Sequence, residues 1–229
     1  MDGAQTRLNS VQNDPPASMA DEAHARLIAA LRDGRLGSGQ FVSMPGLVAL
    51  LDLPLAATRE AVKRADVHGL VRILPKRGVL VMEASPKVTR DCIDLRAMLD
   101  AEGARRLVGA AHSLPLAALR ASHEALVEDA LARMTPELPR RAILTDVSLH
   151  DALASGLDNP IAAEVYAVNR DRIAVVQNTR PFLTDRIVPA MQEHLAIIDA
   201  LERRDAEAAV HAIRAHYHST LRWWGIPEA

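Results

Sequence analysis

The chain has 229 residues, of which 49% are hydrophobic and only 3% aromatic, and its formal net charge at pH 7 is −2. This length allows one or two domains with a sizeable core, and a composition rich in alanine and leucine favours helices over sheets. No run of about eighteen apolar residues occurs, so the sequence predicts no membrane span. The single cysteine, Cys92, excludes an intramolecular disulfide and indicates a reducing, cytoplasmic location.

The charge is unevenly distributed along the chain. The segment 24–82 contains nine Lys or Arg and four Asp or Glu, a net charge of +5, so the remainder carries −7. A basic N-terminal segment joined to an acidic remainder predicts two different functions, and the basic segment is expected to bind an anionic partner.

The front of the chain has the pattern of a winged helix-turn-helix over residues 19–83, preceded by a mobile polar tail at 1–18. Breakers and caps, including Ser43 as the N-cap of the second helix, divide the segment into three helices and two short strands joined by a turn. The expected ranges are 20–33, 45–51 and 56–68 for the helices, and 70–74 and 79–82 for the strands. In a winged helix the third helix enters the DNA major groove.

The candidate DNA contacts lie on the third helix and at the tip of the wing. Arg59 and Lys63 are one helical turn apart. Each basic residue alone could be an ordinary solvated charge, but the set lies on a helix–turn–helix–hairpin frame in a basic segment and favours double-stranded DNA as the partner. The full set of candidates is Ser43, Arg59, Lys63, Lys76, Arg77 and Gly78.

After a short linker, the pattern of residues 87–229 predicts helices and no strands. Prolines and other breakers, with Pro189 among them, divide this part into six helices. Their expected ranges are 88–111, 114–134, 140–156, 160–178, 188–203 and 206–224. The chain is therefore predicted to be mainly α, with an all-helical antiparallel bundle behind the winged helix.

Two polar residues interrupt an apolar helical stripe in the bundle. Asp146 and His150 are four residues apart, which places both side chains on one face of a helix. A single inward histidine is usually a hydrogen-bonded core residue. A buried carboxylate beside it is costly unless it is paired or ligated, so the pair indicates more than packing.

Two further inward histidines lie at equal distances from a predicted helix boundary. Asp205 resembles an N-cap, and His194 and His216 are each eleven residues from it. In an antiparallel hairpin both imidazoles would lie at one level, roughly 16 Å from the bend. Together with Asp146 and His150 they predict a buried metal site of one carboxylate and three imidazoles.

The front segment resembles the GntR family of bacterial transcription regulators. The motifs that carry the resemblance are Asp33-Gly-Arg-Leu36, Ala57-Thr-Arg-Glu-Ala61, His68-Gly-Leu-Val71 and Lys76-Arg-Gly78. The bundle resembles the FCD effector domain of the FadR-type subgroup, whose metal motif is Asp-x-x-x-His followed by two later histidines. Asp146, His150, His194 and His216 match that motif.

The resemblance implies a homodimer on a palindromic operator and a small organic-acid effector that changes DNA affinity. It also implies a divalent metal ion, Zn²⁺ first and Ni²⁺ or Mn²⁺ as alternatives. Arg96 matches an arginine common in such domains, which makes it the candidate for contact with the effector carboxylate. The rival interpretation is an ion pair between Arg96 and Asp100, one turn further on.

Two residues of the segment that resembles the DNA-binding domain differ from the usual family pattern. Leu55 and Pro45 stand where family members usually carry arginines on the third and second helices. An arginine–guanine pair contributes roughly 1–3 kcal/mol of discrimination. The two replacements therefore imply either an operator that differs from the common family half-site, or weaker DNA binding that depends on Arg59 and the wing.

Two other functions remain open at this point. Three histidines and an aspartate with open coordination positions could activate water in a metal-dependent enzyme. No general base is evident, however, and a winged helix has no role in such an enzyme, so a non-enzymatic regulator is expected. The metal could also serve only to hold the fold of a DNA-binding protein.

Overall fold

A computed structural model describes residues 18–109, 114–180 and 183–227, so the predicted tail lies outside the described residues except for Ser18. In these ranges the chain forms nine helices and one three-stranded sheet. The helices are α1 (Met19–Arg32), α2 (Met44–Leu51), α3 (Leu55–Val67), α4 (Pro86–Gly109), α5 (Leu116–Ala132), α6 (Leu138–Ser155), α7 (Pro160–Thr179), α8 (Thr184–Glu202) and α9 (Ala206–Trp223). The strands are β1 (Phe41–Val42), β2 (Val71–Leu74) and β3 (Gly78–Val81).

The first three helices and the sheet form the winged helix that the sequence predicts. Leu27, Leu31 and Leu47 are fully buried where α1, α2 and α3 meet. The sheet order is β1-β3-β2 with both pairs antiparallel, and β2 and β3 make the predicted hairpin. The two-residue strand β1 was not predicted because so short a segment carries no alternating pattern.

Local signals fix the ends of these elements. The Ser43 hydroxyl accepts a hydrogen bond from the Gly46 amide at 3.1 Å, which confirms it as the N-cap of α2. At the tip of the wing, Lys76 has a φ of 61° and Gly78 a φ of 144°. A side chain at Gly78 would also collide with the Val42 backbone, so this turn requires glycine.

The remaining helices form the bundle. The α8–α9 hairpin is its centre, α5 packs on α8, and α4 packs between α6, α7 and α9. The side chain of Asp205 accepts a hydrogen bond from the Ala208 amide at 3.0 Å, which confirms the predicted cap. Among the described helices, none is long and apolar enough to cross a membrane.

The predicted start of α8 at residue 188 is wrong. The helix begins at Thr184 and includes Pro189, which was expected to be a breaker. A proline at the sixth helical position removes one backbone hydrogen bond, and the fully buried Ile187 and Met191 on either side compensate for that loss.

Helices α4 and α6 cross at glycines. A Cβ atom at Gly103 would overlap the carbonyl oxygen of Leu153, far inside the 3.0 Å that real Cβ atoms keep. A Cβ at Gly156 would overlap the side chain of Leu107. The two helices therefore approach each other as closely as backbone atoms allow at this crossing.

Helix α7 contacts the winged helix as well as the bundle. Val175 of α7 is fully buried, and it lies in the hydrophobic core that α1, α3 and the sheet form. Asn178 Nδ2 donates to the carbonyl oxygen of Leu31 at 2.8 Å, and Arg172 Nη2 donates to that of His68 at 2.6 Å. The winged helix thus rests on one helix of the bundle through apolar and polar contacts.

Candidate metal centre

Four predicted ligands lie together inside the bundle. Asp146 and His150 come from α6, His194 from α8 and His216 from α9, and all four side chains are buried. The Nε2 atoms of His194 and His216 are 3.3 Å apart. Asp146 Oδ1 lies 3.5 Å from Nε2 of His150 and of His194. One ligand atom from each residue falls within 4.8 Å of all the others.

The far nitrogen of each imidazole is held by a partner outside the cluster. His150 Nδ1 donates to Asp100 Oδ2 on α4 at 2.7 Å. His216 Nδ1 donates to Glu193 Oε2 on α8 at 2.7 Å. Because a carboxylate accepts hydrogen bonds, Nδ1 carries the hydrogen in both rings and Nε2 is left as a lone pair that points into the cluster.

The third ring is oriented by another histidine, His123 of α5. His123 Nδ1 donates to the Leu119 carbonyl oxygen at 2.6 Å, which leaves its Nε2 to accept from His194 Nδ1 at 3.2 Å. Burial lowers the pKa of His123, so the ring is neutral and can accept. His194 Nε2 therefore also faces the cluster as a lone pair.

The charges in the centre favour a cation. Burial lowers the pKa of His194 well below its usual value, with His216 adding to the effect, and burial lowers that of His216. Burial and Arg96 oppose protonation of His150, but Asp100 and Asp146 outweigh them and raise its pKa. Burial likewise opposes ionisation of Asp146, yet Arg96 and His150 hold its pKa well below the usual range.

This donor set fits a divalent metal ion. Three lone pairs and a carboxylate face one another, and His150 Nε2 has no hydrogen-bond partner in the described part of the chain. A proton could join only two of these atoms, whereas a metal ion satisfies all four. Adjacent ligand atoms at roughly 2.0–2.2 Å from a divalent ion lie about 3–3.5 Å apart, similar to the three separations given above.

Arg96 lies at the edge of the centre. Its Nη1 is 3.3 Å from Asp146 Oδ2, and both side chains are buried. Asp100, the rival partner that the sequence suggested, is instead hydrogen-bonded to His150. The ion pair of Arg96 is therefore with the candidate ligand Asp146.

A cavity of about 310 Å³ opens beside the centre. Arg96, Asp146 and His150 form one wall, and apolar side chains such as Ile143 and Ile173 line its flanks. A small molecule in this cavity would lie against both the arginine and the candidate ligands.

The DNA-contact candidates lie in the winged helix, at the start of α2, on α3 and at the wing. Arg59, Lys76 and Arg77 are exposed, and so is Ser43, the N-cap of α2. Lys63 is exposed but lies 3.6 Å from Glu60, which neutralises part of its charge. Gly78, the last candidate, is half-buried in the turn of the wing.

Sequence reasoning missed the residues that hold the ligands. Glu193 is fixed by a two-bonded ion pair with the buried Arg186, with Nη–Oε distances of 2.6 and 2.5 Å. Burial opposes ionisation of Glu193, but hydrogen bonds from His216 and Arg186 lower its pKa to about 2. Its position directly before His194 was the only available signal, while His123 and Asp100 lie on helices whose rotation the sequence does not fix.

We expect Asp100→Asn to weaken metal binding about 10–100-fold, as is typical when the partner of a ligand histidine is lost. An amide can still accept from His150, but it lacks the charge that favours the donated hydrogen. Competition with a chromophoric chelator would measure the change, with the exposed Asp94→Asn on the same helix as control. Equal metal affinity in the two variants would contradict a positioning role for Asp100.

Comparisons with known proteins agree with this architecture. The FCD domain model matches residues 91–219, more than half of the chain. The transcriptional repressor NanR of Citrobacter rodentium is 32% identical over 84 residues, which are 36% of this chain and 32% of that protein. NanR of Escherichia coli K12 is 31% identical over 87 residues. The matched segment thus spans about a third of each relative's length.

Solved structures share the fold over nearly the whole chain. A GntR transcriptional regulator from Rhodococcus sp. RHA1 has a TM-score of 0.72 at 21% identity, covering 93% of this chain and 100% of that one. Escherichia coli McbR/YncC has a TM-score of 0.68 at 17% identity, covering 91% and 98%.

The NanR relatives are named as transcriptional repressors, and the two solved structures share the arrangement of a winged helix followed by a helical bundle. The chain belongs to the FCD-domain family, and its fold is similar to that of a GntR transcriptional regulator of known structure.

Proposed function

We propose that this regulator senses a small carboxylate at a divalent metal ion and converts its binding into a change of operator affinity. The metal is Zn²⁺, with Ni²⁺ or Mn²⁺ as alternatives, and its ligands are Asp146, His150, His194 and His216. The observation that carries the proposal is the convergence of three inward imidazole lone pairs with one ionised carboxylate.

The cavity supports a carboxylate as the effector. A metal with four protein ligands can keep positions open for an oxygen donor when its geometry is octahedral. Arg96 lies on the same cavity wall, and a guanidinium matches a carboxylate in charge and planar geometry. One carboxylate group therefore suits the metal and Arg96 together.

The DNA-binding half of the proposal rests on the exposed basic groups of the winged helix. Arg59 is exposed on α3, and Lys76 and Arg77 are exposed at the tip of the wing. In this fold the third helix reads base edges and the wing contacts the backbone. A homodimer would read an inverted repeat, and residues 19–83 and 87–229 would be its DNA-binding and effector-binding domains.

The test measures operator affinity by fluorescence anisotropy at fixed salt. The operator is a duplex selected by the metal-loaded protein from a randomised library, and an inverted repeat is the expected sequence. Succinate, malate and lactate are then added to metal-loaded and metal-free protein. We expect at least one acid to change operator affinity, and only in the metal-loaded form. Equal responses in both forms would overturn the role of the metal, and a purely structural metal predicts no response in either.

Arg59→Ala provides the control for the DNA-binding half. We expect operator affinity to fall about tenfold to hundredfold, corresponding to one base-reading arginine. The metal content should remain unchanged. Arg105→Ala, which removes an exposed arginine from α4, should leave operator affinity unaltered. Equal affinities for the two variants would contradict DNA reading by α3.

A further inference from the structure

The cavity beside the metal centre has a second cationic end that belongs to the winged helix. Arg32, the last residue of α1, lines the same space as Arg96 and His150. Helix α7 forms the wall between the two ends through residues such as Ile173 and Gln177. The cavity therefore extends from the metal centre to the contact between the bundle and the winged helix.

Arg32 still has hydrogen-bonding capacity. Its Nε donates to Asp171 Oδ1 at 2.6 Å, and its Nη2 lies 2.5 Å from the same oxygen. Within residues 18–109, 114–180 and 183–227, Nη1 of Arg32 makes no hydrogen bond. A guanidinium has five donors, so one edge remains available to a second acceptor.

Arg170, which also lines the cavity, is committed elsewhere. Its Nε lies 2.8 Å from Asp151 Oδ1 and its Nη2 donates to Asp151 Oδ2 at 2.9 Å, so both carboxylate oxygens face the guanidinium. Asp151 thus balances the charge of Arg170, with one hydrogen bond from Nη2 and a charge contact at Nε. Arg170 belongs to α7 of the bundle, whereas Arg32 belongs to α1, so Arg32 is the cation through which a ligand could join the two regions.

Gln177 gives an independent sign of a polar ligand. The residue is 7% exposed and lines the cavity, and its side-chain amide makes no hydrogen bond to any described residue. The amide atoms keep some accessible surface, so they face the open cavity and are free to hydrogen-bond a molecule there. An oxygen-rich molecule between the two arginines would satisfy this amide.

We propose that the cavity binds a short dicarboxylate, with one carboxylate at Arg96 and the metal centre and the other on Nη1 of Arg32. This inference rests on the proposed function and adds the ligand class and its second contact. The volume of about 310 Å³ is at the lower end of the range of roughly 300–1,000 Å³ for ligand pockets, which excludes a large ligand. The apolar flanks suit a methylene chain between two charged ends.

The position of Arg32 gives the second carboxylate a regulatory role. Arg32 belongs to α1, whereas Arg96 belongs to α4 of the bundle. A dicarboxylate therefore joins the two regions through one molecule, whereas a monocarboxylate contacts the bundle alone. Differential contact of this kind is what a ligand needs to shift a conformational equilibrium.

The test compares acids that differ only in the second carboxylate. Succinate, malate and glutarate are paired with butyrate, 2-hydroxybutyrate and pentanoate, in which a methyl group replaces one carboxylate. Their affinities for the metal-loaded, full-length protein are measured by titration calorimetry. We expect at least one dicarboxylate to bind about tenfold to hundredfold more tightly than its partner, as a charge-assisted contact provides.

Three variants separate direct contact from a loosened interface. Arg32→Gln should remove the preference for the dicarboxylate without changing the affinity of the monocarboxylate. Asp171→Asn breaks the ion pair but keeps Arg32, so the preference should persist. Arg35→Gln removes an exposed arginine that does not line the cavity and should have no effect.

The outcomes distinguish this inference from the proposed function. If no dicarboxylate binds more tightly than its partner, or if Arg32→Gln leaves the preference intact, the second contact is wrong, while metal-dependent binding of monocarboxylates would still support the proposed function. A loss of preference in Asp171→Asn equal to that in Arg32→Gln would also overturn it. If no acid of either kind binds, both proposals fail.

Discussion

His194→Ala should abolish stoichiometric metal binding and, with it, any response of DNA binding to an added acid. His194 is fully buried and its Nε2 is close to both His216 and Asp146. Loss of a ligand should cost more than loss of a ligand's partner, so we expect metal affinity to fall by more than about 100-fold. Metal analysis of the purified protein and operator titrations with and without acid would measure both effects.

The same variant should still bind the operator. Helix α1 of the winged helix packs on α7 of the bundle, so a lost side chain on α8 should leave the winged helix in place. His211→Ala is the matched control, because His211 is exposed on α9 and lies outside the cluster. A full complement of metal in His194→Ala, or an acid response without metal, would contradict the proposed centre.

Gly103→Ala should destabilise the protein through a single methyl group. The added Cβ overlaps the Leu153 carbonyl oxygen, which is backbone and cannot rotate away, so α4 and α6 must separate. Forced separations of packed elements cost roughly 1–3 kcal/mol, and each kcal/mol lowers the melting temperature of a protein of this size by about 2–4 °C. We therefore expect a decrease of roughly 2–12 °C in a calorimetric melt.

Gly109→Ala is the control for this substitution. Gly109 is also in α4, and a Cβ there meets nothing within 4 Å. Its melting temperature should be unchanged or slightly raised, because alanine favours helix over glycine. Similar melting temperatures for the two variants would show that the α4–α6 crossing tolerates a side chain.

The Gly103 substitution should also reach the metal centre. Helix α4 carries Asp100 and α6 carries His150, and their hydrogen bond spans the same crossing at 2.7 Å. Separation of the helices would lengthen this bond and weaken metal binding, an effect that Gly109→Ala should not produce. The glycine thus sets the distance between a candidate ligand and the group that orients it.

The predicted ligand set depended on spacing that a helix enforces. Asp146 and His150 share a face because they are four residues apart, and His194 and His216 lie at one level because both are eleven residues from the Asp205 cap. Such relations lie within one helix or across one hairpin, so the sequence contains them. The winged helix was predictable for the same reason, since each boundary has its own cap or turn residue.

The side-chain contacts that the sequence did not predict depend on how separate helices pack against each other. His123 meets His194 only because α5 packs on α8 at one rotation, and no local pattern fixes that rotation. Asp100 accepts a hydrogen bond from His150 rather than pairing with Arg96, and this too depends on how α4 crosses α6. Pro189 was misread because burial of its neighbours outweighs the local preference against proline inside a helix.

The docking of α7 against the winged helix limits how freely the two halves can be recombined. Val175 completes the hydrophobic core of the DNA-binding part, and Asn178 caps the end of α1 through the Leu31 carbonyl. A chimera that joins this winged helix to the sensory bundle of another regulator would lose these groups and expose the apolar surface that they cover. An exchange of bundles between proteins of this fold therefore requires that the outer face of α7 change together with α1.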